Sequence, residues 1–129
     1  MISDEAQECY ERFQANAGFA RKLEEQFPNQ AEWSCVVRFY AALHLVNAYL
    51  IDKRNVRLNP AATAHADRRK ALENCPELRD APKKYRELKD MSERVRYDAS
   101  FNYTSDLHKK SKAFLTKIIA IVEPKLKKG

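Results

Sequence analysis

The most apolar stretch of the chain runs from Glu32 to Ile51 and reads EWSCVVRFYAALHLVNAYLI. Its apolar residues cover every side when the stretch is wound at the helical period of 3.6 residues. Such a helix belongs inside a bundle, where polar side chains need hydrogen-bonding partners. The pattern therefore predicts a buried central helix, and it makes Arg38, His44 and Asn47 candidates for chemistry.

Helical periodicity also predicts one helix before this stretch and three after it. Ser3 is a suitable N-cap for the first helix, which should end near Gln26, before Pro28. A short third helix should cover residues 64–75, with Thr63 as its N-cap. The residues that recur at helical spacing in this first segment are Tyr10, Phe13, Ala17, Ala20 and Phe27.

The fourth and fifth helices are predicted from their opening residues and their apolar stripes. Pro82 suits the first position of the fourth helix, and Thr104 suits the N-cap of the last. The segment after Asp98 reads ASFNY and is predicted to be an aromatic loop. The stripe of the fourth helix is Tyr85, Leu88, Met91 or Ser92, Val95 and Ala99; that of the fifth is Leu107, Phe114, Ile118 and Ile121 or Val122.

The composition agrees with an all-helical fold. The chain has 129 residues but only 2 Gly and 5 Pro, which leaves few residues for the tight turns of a sheet. This length suits one domain whose core needs neither disulfides nor metals. We therefore predict a single all-α domain over residues 1–129, a compact bundle of about five mostly antiparallel helices.

The charge is unevenly distributed along the chain. Residues 1–32 carry 3 basic and 7 acidic side chains, whereas residues 104–129 carry 7 basic and 2 acidic ones, within a total of +6. A basic remainder behind an acidic first helix is compatible with a polyanionic partner such as RNA or DNA. The alternative is that lysine-rich helix faces are simply solvated.

Cysteine usage and the amino terminus bear on the compartment. Cys9, Cys35 and Cys75 include no CxxC pair, which argues against a disulfide framework or a zinc site and favours a reducing environment. The acidic amino terminus lacks a secretion signal, and the polar residues of the central helix favour a soluble core over a membrane span. We predict a cytoplasmic protein without metal, cofactor or membrane contact.

The candidate chemistry centres on one face of the central helix. Tyr40, His44 and Asn47 are spaced i, i+4 and i+7 and so share a face. Arg38 lies about 120° around the helix from His44, so the tips of these side chains are expected to converge on a shared groove without stacking on one another. Histidine can move a proton to or from a ribose hydroxyl, and arginine can neutralise a phosphate. Two further clusters are expected near this face: His65, Arg68 and Arg69, and Ser92, Arg94, Arg96 and Tyr97.

Each of these residues also has a structural interpretation. His44 fits a hydrogen-bonded core histidine, and Arg38 fits an ion pair with Glu11 or Glu24 of the first helix. His65 fits an ordinary surface position, and only one of Arg94 and Arg96 can face the bundle. Tyr97, Phe101 and Tyr103 fit core or dimer-interface aromatics, although an exposed pair would be able to stack on bases.

Three motifs occur in order: VVRFYAALHLVNAYL, HADRRKAL and YRELKDMSERVRYD. Together they resemble the small stand-alone HEPN-domain proteins of prokaryotes over roughly residues 10–103. The matching positions are residues 39–44, His65, Arg69, Ser92, Arg96 and Tyr97. HEPN ribonucleases carry an R-x(4–6)-H signature, usually in a late helix; here Arg38 and His44 have that spacing, but on the second helix.

The resemblance implies a helical bundle, frequent homodimers, and roles in RNA cleavage or beside nucleotidyltransferases in toxin–antitoxin and defence systems. The leading hypothesis is a metal-independent endoribonuclease or close relative. Its catalytic residues would be His44, Arg38 and His65, and its substrate-binding residues Tyr40, Asn47, Arg69, Arg96 and Tyr97. The alternatives are a non-catalytic module that binds a nearby-encoded protein or a nucleotide, and plain nucleic-acid binding by the lysine-rich last helix.

Overall fold

The computed structural model describes residues 2–56 and 64–127, without the side chains of residues 64–66 and 127. The described residues form five α-helices and two short 3-10 turns, with no strand among them, so the all-α prediction is confirmed. The helices are α1 (Asp4–Gln26), α2 (Glu32–Arg54), α3 (Ala64–Glu73), α4 (Ala81–Tyr97) and α5 (Ser105–Lys127); the turns are Pro28–Gln30 and Pro76–Leu78.

Two of the predicted N-caps are confirmed. The Ser3 hydroxyl accepts a hydrogen bond from the Ala6 backbone N–H at 3.3 Å, and the Thr104 hydroxyl accepts one from the Leu107 N–H at 3.2 Å. Each cap satisfies a backbone donor that has no partner within its helix. Thr63, the third predicted cap, lies outside the described residues.

Some helix ends differ from the prediction. α2 continues past Ile51 to Arg54 and is closed by Asn55, whose φ of 51° is left-handed. α3 ends at Glu73, before the predicted residue 75. The inclusion of Ala99 in the buried stripe of the fourth helix is wrong, because α4 ends at Tyr97 and leaves this alanine exposed. Phe27 does not belong to the stripe of the first helix either, because α1 ends at Gln26 and the phenylalanine is 51% exposed.

α2 is the centre of the bundle and packs against each of the other helices. The Ser3 backbone N–H donates to Asp52 Oδ1 at 3.0 Å, so the start of α1 lies beside the end of α2 and the two helices are antiparallel. The Tyr10 hydroxyl donates to Glu123 Oε2 at 2.9 Å. Tyr10 is near the start of α1 and Glu123 is near the end of α5, so these two helices are antiparallel as well.

One stripe of α2 remains in partial contact with solvent. The residues from Ser34 to Leu50 are buried except along this stripe, so the helix is not enclosed on every side. We call the stripe the α2 face; it consists of Val36, Val37, Tyr40, His44, Asn47 and Ile51, which recur at helical spacing. The predicted polar face of the central helix is therefore the side at which it reaches the surface.

α2 is also long and apolar enough to cross a membrane by length and composition alone. Of its most apolar window, 72% is buried inside the bundle, as in the core helix of a helical protein. The expectation that the chain makes no membrane contact stays a prediction.

Candidate functional site

His44 lies at the middle of the α2 face and is partly exposed. Burial lowers the pKa of its imidazole below the usual value of 6.5, and the positive charges of Arg12 and Arg68 lower this pKa further. A histidine with a lowered pKa is mainly neutral at pH 7, so one ring nitrogen can accept a proton. The side chain therefore has the protonation state that a general base requires.

Asn47 is held by an arginine from α3. Its Oδ1 accepts a hydrogen bond of 2.6 Å from Arg68 Nε, and the Arg68 side chain is buried, with 5% exposure. Burial raises the pKa of the nearby Tyr85 hydroxyl, and the Arg68 charge opposes that rise. The same arginine thus links the polar end of the α2 face to α3 and α4.

Tyr40 marks the other end of the polar part of this face. Its hydroxyl accepts a hydrogen bond of 2.9 Å from Arg96 Nη1 on α4. The Arg96 guanidinium lies 5.5 Å from the centre of the Tyr40 ring and 5.0 Å from that of Tyr97. Tyr97 is 78% exposed, so an aromatic ring and a guanidinium reach the surface together.

The structure thus brings Tyr40, His44, Asn47, Arg96 and Tyr97 into one region of the surface. Arg69 has no contact with these residues among the described ones; its side chain is 61% exposed and lies 3.9 Å from Glu73 on its own helix. The side chain of His65 lies outside the described residues, and its predicted role stays untested.

Arg38 is on another side of α2. Only 3% of this residue is exposed. Its Nη2 donates to Glu24 Oε2 and its Nη1 to Ser34 Oγ, both at 2.7 Å. The ion pair with the first helix, which the sequence suggested as an alternative, is confirmed for Glu24. The expected convergence of Arg38 and His44 on one groove is wrong, because the turn of about 120° between them lets Glu24 of α1 hold the Arg38 guanidinium on another side of α2.

Sequence reasoning missed two of the cations beside His44. Arg12 is not among the predicted site residues, and nothing in its sequence context identifies it. Arg68 is predicted to lie in one cluster with Arg69, but the predicted substrate-binding residue is Arg69. The signal for Arg68 was available, because it precedes the buried Leu72 by four positions and therefore lies on the apolar side of α3.

A second polar cluster surrounds Glu24. His108 Nε2 and Lys112 Nζ lie 2.8 and 3.0 Å from its Oε1. His108 Nδ1 is 2.9 Å from the Tyr103 hydroxyl, which in turn is 3.1 Å from the Ser111 hydroxyl. This cluster joins α1, α2 and α5 on the side of α2 where Arg38 lies, and the sequence did not predict it.

The pKa of Glu24 is lowered to about 2. Burial opposes this shift, but the hydrogen bonds from His108 and Lys112 and the charge of Arg38 outweigh it. The ionised form therefore stabilises the fold fully above the ordinary glutamate pKa of about 4.5, and this contribution is lost as the pH falls toward 2.

This gives a testable expectation for stability against pH. When the pH is lowered from 4.5 to 2, the urea concentration at the unfolding midpoint should fall further for wild type than for the Glu24→Gln variant. Only wild type carries this carboxylate, whose protonation removes its contribution to stability. Urea unfolding followed by circular dichroism at several pH values measures the difference. The exposed neighbour variant Glu25→Gln is the control and should track wild type. Parallel curves for wild type and Glu24→Gln would contradict the expectation.

Among the described residues, no group of three or more His, Cys, Asp or Glu side chains is arranged to hold a metal ion. The three cysteines are free, with Cys35 and Cys75 buried. Burial raises the pKa of the Cys35 thiol to about 11, so this side chain is protonated at neutral pH.

Comparison of the chain with known proteins assigns it to no family. No protein-family model matches the chain, and no curated protein matches it significantly. The resemblance to HEPN proteins therefore depends on the three sequence motifs alone.

Proposed function

We propose that this chain is an HEPN-type helical domain that acts on RNA at the α2 face, as a metal-independent endoribonuclease or a close relative. The observation that carries the proposal is the position of His44. Its partly exposed imidazole is kept neutral beside the charges of Arg12 and Arg68. A neutral base next to fixed positive charge is what cleavage of a phosphodiester by the ribose 2′-hydroxyl requires.

In the proposed reaction, His44 takes the proton of the ribose 2′-hydroxyl. The 2′-oxygen then attacks the adjacent phosphorus, and the bond from phosphorus to the 5′-oxygen breaks. The leaving 5′-oxygen takes a proton from water, and the hydroxide so formed takes the proton back from His44. The products are a 2′,3′-cyclic phosphate and a 5′-hydroxyl. Arg12, which is exposed, neutralises the phosphate. Arg38 has no part in this step, because Glu24 and Ser34 hold its guanidinium.

The test is an incubation of purified protein with several single-stranded RNAs in EDTA, with the ends of the products identified. Cleavage that leaves 2′,3′-cyclic phosphates supports the enzyme. Binding without cleavage across all the RNAs removes the enzyme and keeps the RNA-binding domain. Absence of binding removes the proposal as a whole.

Tyr97 should contribute to RNA affinity. Its ring is 78% exposed and carries the Arg96 guanidinium, which suits stacking on an unpaired base. Tyr97→Ala should weaken binding of single-stranded RNA about 5- to 150-fold, since stacking on one base contributes about 1–3 kcal/mol. Fluorescence anisotropy measures the loss, and Tyr97→Phe, which keeps the ring, should bind like wild type. Equal affinity of Tyr97→Ala and wild type would contradict the stacking role.

The state of Arg38 favours a second candidate function. The arginine of the R-x(4–6)-H spacing is 3% exposed and paired internally. A helical module that binds a partner protein or a nucleotide, as an antitoxin-like or accessory subunit, has no need of that arginine at its surface. Stoichiometric binding of such a partner by a chain that cuts no RNA would favour this candidate.

The resemblance also suggests a prokaryotic defence or toxin–antitoxin setting, a cytoplasmic location and a homodimer, all of which belong to the same proposal. Size-exclusion chromatography with light scattering tests the dimer. A mass near 15.0 kDa at every concentration would count against it.

A further inference from the structure

A groove of about 530 Å³ runs between α1 and α5, and the α2 residue in its lining is Arg38, about 120° around the helix from His44. One part of its lining is polar and includes Glu24, Arg38 and Lys112. Another part is apolar, with Ala17 from α1 and Leu115 and Ile119 from α5. Its volume lies within the range of small-molecule sites.

Arg38 lines the groove with unused hydrogen-bonding capacity. An arginine side chain carries five N–H donors. Glu24 and Ser34 accept from two of them, and these are the side-chain hydrogen bonds that Arg38 forms with the described residues. A buried cation with spare donors beside a cavity is a suitable partner for a carboxylate, which guanidinium binds through two parallel hydrogen bonds.

The charge of the lining also favours an anion. Three basic side chains, Arg21, Arg38 and Lys112, face the groove with two acidic ones, Glu24 and Glu25. The balance is one positive charge. Lys112 is 51% exposed and donates one of its three N–H groups to Glu24. The other two can therefore donate to a ligand at the mouth of the groove.

We propose that this groove binds a small organic monoanion, with its carboxylate on Arg38 and Lys112 and its apolar body against Ala17, Leu115 and Ile119. The single surplus charge matches one carboxylate, and the apolar lining favours an organic acid over an inorganic anion. The site is separate from the α2 face and does not depend on the proposed action on RNA.

The experiment uses three probes that separate the charge from the apolar body: 4-phenylbutyrate, the neutral 4-phenylbutanol, and acetate as the head group alone. Isothermal titration of the full chain should give one site for 4-phenylbutyrate with a Kd of about 0.1–1 mM, as ligand-efficiency limits allow for a molecule of this size. The alcohol and acetate should bind at least about 10-fold more weakly.

Variants of exposed lining residues locate the site. Lys112→Ala should weaken 4-phenylbutyrate about 5- to 10-fold, and Thr116→Trp should block the groove sterically. Lys117→Ala, an exposed lysine of α5 outside the lining, and His44→Ala should each leave affinity within twofold.

Three results would overturn the inference: no binding of 4-phenylbutyrate below 5 mM, equal binding of the alcohol, or full affinity in both Lys112→Ala and Thr116→Trp. Because His44→Ala serves as a control in this experiment, failure here leaves the RNA proposal as it stands. The reverse also holds, since loss of RNA binding says nothing of the groove.

Discussion

Replacing Glu24 with alanine is expected to lower the free energy of unfolding by about 3 kcal/mol. The carboxylate is the common partner of Arg38, His108 and Lys112. Without this carboxylate, the guanidinium of Arg38 stays buried, and Ser34 is the acceptor that remains to it among the described residues. A buried charge without an opposite charge lowers the stability of the folded state. The value stands at the low end for a buried pair because the Glu24 side chain is 26% exposed.

The matched variant is Arg38→Met, alone and combined with Glu24→Ala. If the two residues act as a pair, the double variant should be more stable than Glu24→Ala, because methionine removes the charge and fills the same space. Urea unfolding of the four proteins of this double-mutant cycle measures the coupling. Additive effects of the two changes would contradict a pair that acts as one unit.

The same variants decide the role of Arg38. Under conditions in which it is folded, Arg38→Met should bind RNA within twofold of wild type, because its guanidinium points to α1 rather than to the α2 face. A fall in RNA affinity or cleavage comparable to that of a variant at His44 would return Arg38 to the candidate site.

Much of the fold could be predicted because its signals are local. Ser3 and Thr104 indicate where two helices start, because their side chains can cap a helix. The apolar stripe of each helix is predicted by the spacing of the apolar residues within that helix. The central helix was recognisable because burial in a bundle demands apolar residues on nearly every side. The end of α2 was harder, since Lys53 and Arg54 continue the helix without adding to the apolar pattern and Asn55 closes it through a backbone conformation.

The candidate site could be predicted only in part. Tyr40, His44 and Asn47 share a helix, so their common face follows from periodicity alone. Arg12 and Glu24 reach their partners through the packing of α1 against α2 and α5, which depends on the register between helices that are distant in sequence. Spacing along one helix does not show which neighbour a side chain contacts. Arg38 has the R-x(4–6)-H separation from His44, but it pairs with Glu24 of α1.

Replacing His44 with alanine is expected to reduce RNA cleavage by about 100- to 10 000-fold, the usual contribution of a general base. The protein should stay folded, since the side chain is partly exposed. His108→Gln is the matched control: this histidine is 17% exposed and belongs to the Glu24 cluster, so cleavage should stay within about threefold of wild type once folding is verified. Single-turnover cleavage of one labelled RNA in EDTA measures both variants. A His44→Ala protein that cuts as fast as wild type would remove this residue from the mechanism.

The pH dependence of kcat/KM tests the same role without a mutation. The folded pKa of His44 is below 6.5, because burial and the charges of Arg12 and Arg68 disfavour the imidazolium. The active, neutral base therefore persists below pH 6.5, and activity should fall only at still lower pH. Arg12→Ala removes one of those charges from an exposed position, so it should move this acidic limb to higher pH while it weakens RNA binding. An acidic limb that Arg12→Ala leaves in place would show that the group which titrates is not His44.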